Sequence, residues 1–106
     1  MTIQSMYPAR PNNIGKIGKA RHPDGRIEQY TIVDEICLPQ AGSETKLIYL
    51  QRIQFDGDKS ELRLCYYIIG KLPKMKGKWV FGQYATFLPA SDFKAITDEA
   101  RKRGSI

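Results

Sequence analysis

The sequence holds little of what metal, redox or membrane chemistry needs. It has one histidine, His22, and two cysteines, Cys37 and Cys65, with no CxxC spacing. A structural zinc site takes about four such ligands, so neither a metal nor a cofactor is expected. A single disulfide is weaker as a reading than two small buried thiols in a reducing compartment. No apolar run approaches the length of a membrane span. The opening MTIQSMYPARPNN lacks the apolar core of a secretory leader, so the expectation is a cytoplasmic protein without a membrane partner. No serine or cysteine stands in a nucleophile context such as GxSxG. No internal repeat and no low-complexity segment is present.

Acid is missing too, and locally. No Asp or Glu stands between Glu61 and Asp92, while Arg63, Lys71, Lys74, Lys76 and Lys78 all fall there. Surfaces that serve only solubility mix their signs. The whole chain of 106 residues carries a formal charge of +6, from 17 Lys+Arg against 11 Asp+Glu. Such a balance suits nucleic acid, an anionic membrane or an acidic protein partner. Hydrophobic content of 42% is that of a soluble domain, and the length fits one.

Residues 1–13 carry Pro8, Pro11, Asn12 and Asn13 and few apolar groups, which reads as a flexible or loosely docked tail. Residues 14–106 read as a single α+β domain. Basic, glycine-containing IGKIGKAR leads into the turn HPDG. A strand follows over 26–38, with Tyr30, Ile32, Ile36 and Leu38 on one parity that Asp34 interrupts. TKLIYLQRIQF, with apolar groups on both parities, predicts a central strand. Asp56-Gly57 marks the next turn, and ELRLCYYIIG the next strand. KLPKMKGK makes a loop, and KWVFGQYATFL the last strand. From Pro89 the period changes: Phe93, Ile96 and Ala100 fall on one helical face. Asp92 near its start and Arg101, Lys102 and Arg103 near its end match the helix dipole. The expected fold is a twisted antiparallel β-meander of four to five strands packed on one C-terminal α-helix.

The lysine loop and its following strand are the leading candidate site. Lys71, Lys74, Lys76 and Lys78 can neutralise phosphates, with Arg63 beside them. Trp79, Phe81 and Tyr67 can stack on unpaired bases. Parity puts Trp79 and Phe81 on one face and Val80 and Tyr84 on the other, without deciding which face meets the helix. Lys16, Lys19 and Arg21 form a second basic patch, where Gly15 and Gly18 would let backbone approach a ligand. No helix and no GK[ST] follows, so it is not a P-loop. Pro23-Asp24 and Glu44-Thr45-Lys46 match the loose nuclease pattern PD…(D/E)xK, in which carboxylates hold Mg²⁺. Both lie in turn sequence, so turn chemistry explains them better, and no enzyme is expected. Asp34-Glu35 read as acids on an exposed sheet edge.

Residues 62–100 resemble, in layout, the positive-cofactor-type transcriptional coactivators and their whirly-like relatives. The matching positions are Arg63 and Tyr67, then Met75-Lys76-Gly77-Lys78, then Leu88-Pro89 and Phe93. The resemblance implies a four-stranded antiparallel sheet with a C-terminal helix, a homodimer, and single-stranded DNA bound along the open sheet face. The alternative reading is a protein-interaction module that uses that face or a sheet edge against an acidic partner.

Overall fold

Five strands form one antiparallel sheet in sequence order, and one helix follows. A computed structural model describes residues 7–82 and 89–106. Strands β1 (Ile17–Arg21) and β2 (Ile27–Pro39) make the first hairpin. Strand β3 (Lys46–Phe55) is central, and β4 (Ser60–Ile69) follows a short 3₁₀ turn at Asp56–Asp58. Strand β5 (Trp79–Phe81) forms the other edge, and α1 spans Ala90–Lys102. The α+β meander expected from the sequence is therefore the observed fold. The strand expected over 78–88 is described as far as Phe81; Tyr84 and Leu88 lie outside the described residues. Among the described residues no helix is long and apolar enough to cross a membrane.

The strand patterns bury their apolar sets on two faces. On the helix side, Ile36 and Ile48 pack on Ile96 and Ala100, with Leu38, Leu50 and Leu64 around them. On the other side, Leu47, Tyr49 and Cys65 form one cluster, and Ile32, Ile53 and Phe55 a second. Strand β3 contributes to all three clusters, which is why both its parities are apolar.

One expectation about β2 needs correction. Ile32 and Ile36 share a parity but lie on opposite faces, because the register slips between Ile32 and Asp34. Ile32 pairs with Ile53 and Asp34 with Arg52, so Val33 is an extra residue. A bulge of this kind turns over every side chain beyond it. The interruption at Asp34 is the trace of that bulge. Asp34 and Glu35 lie beyond the β1 pairing, which stops at Thr31, so this part of β2 has β3 on one side only, with both acids half-buried.

The helix begins after Pro89, whose φ of −58° and ψ of 147° are those of a residue outside the helix. Asp92 sits in the first turn, favoured by the helix dipole, and its carboxylate accepts a hydrogen bond from the Ala41 N–H at 2.9 Å. That bond ties the helix start to the β2–β3 loop. Ile96 and Ala100, at 1% and 0% exposure, carry the docking. Phe93 differs from expectation and is 54% exposed, because the buried contact runs through the later turns. The helix ends at Arg103, and Gly104 follows with φ +78°, a left-handed position suited to glycine.

Ile96 is the larger of the two side chains that join helix to sheet. Ile96→Ala should cost about 2–4 kcal/mol of stability through lost burial and a residual cavity. Urea unfolding followed by circular dichroism measures it, with exposed Phe93→Ala as the comparison of smaller effect.

Candidate nucleic-acid interface

The sheet face opposite the helix carries the aromatic and polar groups of interest. Strand pairing puts Phe81 opposite Tyr67 and Trp79 opposite Ile69, on the same face as Cys65 and Arg63. Trp79 and Phe81 thus point away from the helix. Trp79 is half-buried against Leu47, Tyr49 and Cys65. Phe81 is more open, at 42% exposure. The edge of Tyr67 meets its ring at 5.4 Å, and the Arg63 guanidinium lies over it at 5.6 Å.

Three strands carry a polar bridge across this face. Glu35, Gln51 and Arg63 stand opposite one another on β2, β3 and β4. The Gln51 side-chain N–H donates to Glu35 Oε1 at 3.0 Å. Gln51 Oε1 accepts from Arg63 Nη2 at 2.7 Å and from Nε at 3.0 Å. Arg63 Nη1 donates to the Tyr30 hydroxyl at 2.8 Å. Gln51 is 1% exposed, so its amide leaves neither end to water. Arg63, a candidate phosphate contact by sequence, has its N–H groups engaged inside the sheet.

The segment from Tyr7 to Asn13 lies over the same face. Trp79 Nε1 donates to the Pro8 carbonyl at 2.9 Å, and the Tyr49 hydroxyl to the Pro11 carbonyl at 2.6 Å. Tyr7 meets the Trp79 ring edge-on at 6.0 Å. Asn13 is buried: its backbone N–H donates to Glu35 Oε2 at 2.7 Å, and its side-chain oxygen accepts from Tyr67 at 3.1 Å. The tail expected over 1–13 is thus docked from Tyr7 onward.

The lysine loop joins β4 to β5 at the far end of the sheet from the β1–β2 turn. It is built on its own backbone bonds: Met75 N–H to Leu72, Lys78 N–H to Met75, Gly77 N–H to Gly70 and Gly70 N–H to Lys78. Gly77 takes φ +77°, and Gly70 has no room for a Cβ, which would stand 2.4 Å from the Met75 carbonyl. Lys71, Lys74, Lys76 and Lys78 are all exposed. None has an ion pair among the described residues. The basic end of the helix contrasts with this. Arg101 pairs with Asp98, and Arg103 with Glu99.

Of the second basic patch, Lys19 and Arg21 are not brought to this site, whereas Lys16 reaches its margin at Asn13. Those two residues lie on the opposite edge strand, and their turn lies at the opposite end. Lys19 and Arg21 alternate with Gly18 and Ala20 and take the other face, while Lys16 Nζ donates to Asn13. Gly18 serves packing rather than ligand approach: a Cβ there would stand 2.5 Å from the Tyr30 ring. Asp24 precedes β2 and Glu44 follows it, at opposite ends of 13 residues, so these carboxylates and Lys46 do not converge. The described residues hold no group of His, Cys, Asp and Glu side chains suited to a metal ion.

Cys37 and Cys65 are free thiols on either side of Tyr49. Two strand spacings, about 9–10 Å, separate them. A disulfide needs Cα atoms within about 7 Å. Burial pushes the Cys37 thiol up, partly offset by Tyr49 and Arg10. Burial likewise pushes the Tyr49 hydroxyl well above its usual range. No protein-family model, curated protein or solved structure matches this chain.

The polar bridge and the buried thiol each carry an expected outcome. Gln51→Leu strands Glu35 and Arg63 without their shared partner, and should cost about 2–3 kcal/mol in urea unfolding. Exposed Arg52→Ala next to it should change stability by less than about 0.5 kcal/mol. Burial pushes Cys65 from 9.0 up to about 11. The folded state therefore holds this proton more tightly than the unfolded chain. Its stabilisation is complete below pH 9.0 and is lost as pH rises through about 11. Urea midpoints across that window should fall more steeply for the native sequence than for Cys65→Ala.

Proposed function

We propose that this protein binds single-stranded nucleic acid at the β4–β5 end of its sheet. One observation carries the reading: four exposed lysines, with no ion pair among the described residues, stand on a hydrogen-bonded loop that leads directly into the exposed ring of Phe81. The lysines would take phosphates by releasing their counterions. Phe81 would take a base on its open side, extending the arrangement of Arg63 over its ring. Tyr67 and Arg63 act here as positioning residues that hold the Phe81 ring. Trp79, with its N–H bound to Pro8, contributes less than Phe81. Unpaired bases suit a sheet aromatic better than the grooves of a duplex do. The layout of residues 62–100, similar to that of the coactivator and whirly-like proteins, points the same way.

Fluorescence anisotropy with a labelled single-stranded oligonucleotide tests the reading. Four phosphate contacts predict a log–log salt slope of about −3, at about 0.7 per contact on single strands. The Lys74→Ala/Lys76→Ala/Lys78→Ala variant should flatten that slope to about −1. Phe81→Ala should weaken binding by about 1–3 kcal/mol, with the salt slope unchanged. Negligible binding at low salt, or binding indifferent to salt, overturns the proposal.

A further inference from the structure

We infer, resting on the nucleic-acid reading above, that the docked N-terminal segment is the second half of the same site. A strand that leaves the lysine loop follows this segment across the sheet, with Arg10 and Lys16 taking phosphates. Acidic residues are absent from two long stretches of the chain. One runs from Leu62 to Ser91 and the other from Met1 to Pro23. The fold lays these distant stretches together. Trp79 Nε1 donates to the Pro8 carbonyl, and the Tyr67 hydroxyl to the Asn13 side-chain oxygen.

The segment runs from β5 toward β2. Its Pro8 end stands at Trp79, the residue that follows the loop, and its Asn13 end at Glu35. Five residue steps separate the two ends, at most about 18 Å. Arg10 lies between them, exposed, with its guanidinium against the Cys37 thiol. A thiol is a weak partner for a group with five N–H donors, so the others remain for a phosphate. Lys16 is exposed at the far end, where its Nζ donates to Asn13 Oδ1 at 3.2 Å. Neither cation has an ion pair among the described residues.

The acid beside this path has its charge engaged beneath the segment. The Glu35 carboxylate accepts from the Asn13 backbone N–H, from Asn13 Nδ2 and from the Gln51 side chain. Lys19 and Arg21 belong to the same acid-free stretch but take the opposite face, so the fold selects Arg10 and Lys16 from its cations. Side chains of β3, β4 and β5 hold the segment by hydrogen bonds. Its cations are therefore carried on a fixed backbone, which lowers the ordering cost of binding.

Fluorescence anisotropy with labelled oligothymidylates of about five and about fifteen nucleotides tests the path, lengths near the two ends of the usual range of single-strand sites. The loop alone gives a log–log salt slope of about −3, and two further contacts take the longer strand to about −4. Arg10→Ala/Lys16→Ala should return the longer strand to about −3 and weaken its binding about tenfold at about 0.1 M salt. Lys19→Ala/Arg21→Ala removes the same charge from the other face and should leave the longer strand bound within about twofold of native. Trp79 is the chain's single tryptophan, and its emission reports whether the segment stays docked. Where Lys16→Ala shifts that emission, Arg10→Ala alone keeps the bond to Asn13 and should lower the slope by about 0.7. Equal native slopes for the two lengths, or equal losses in the two double variants, overturn the inference and leave the loop site standing. Binding of neither oligonucleotide by the native chain overturns the nucleic-acid reading itself, and the path with it.

Discussion

The bridge Glu35–Gln51–Arg63 is the constraint on which the rest of this face depends. A carboxylate and a guanidinium on two strands separated by a third would each be costly to bury alone. The Gln51 amide joins them, donating to one and accepting from the other. Both ends then do further work. Glu35 holds Asn13 and with it the N-terminal segment. Arg63 holds Tyr30 and lies over Phe81. The segment on one side and the exposed ring on the other are thus set by one hydrogen-bonded line across three strands.

That line exists because β2 is bulged. The extra residue Val33 turns Glu35 to the face away from the helix and Ile36 toward it. An unbroken strand would place Glu35 with Ile32 reversed, and the carboxylate would meet the helix-side core. The same bulge lets β2 supply Ile32 to one core cluster and Ile36 to another. A single irregularity therefore serves both packing and the polar bridge.

Charge is distributed by a similar division. The helix neutralises most of its basic end through pairs three and four residues apart. The β1–β2 turn pairs Arg26 with Asp24 and Glu28. The β4–β5 loop has no acid within its own sequence to do this. Its lysines stay exposed on a backbone that is itself well bonded, so their positive field is held in one place rather than averaged over the surface. Residues Tyr7–Asn13 meanwhile cover Trp79 and Tyr49 with neutral hydrogen bonds and ring contacts rather than charge.

Local pattern was enough for the elements themselves. Period two, turn residues and a change to helical spacing after Pro89 specify a meander and a terminal helix, because these are short-range properties of the backbone. The central place of β3 was legible from its apolar residues on both parities, and the lysine loop from its missing acids. Other features needed the folded sheet. Which face receives Trp79 depends on a register between β4 and β5 that parity alone leaves open. The partner of Glu35 is sixteen residues away in sequence and adjacent only in the sheet. The docking of Tyr7–Asn13 depends on donors from β3, β4 and β5 that no local pattern connects to it. The sequence by itself determined the strands, the helix and the unpaired charge; only tertiary structure decided which face is aromatic, what bridges it and what covers it, since those follow from contacts between distant residues.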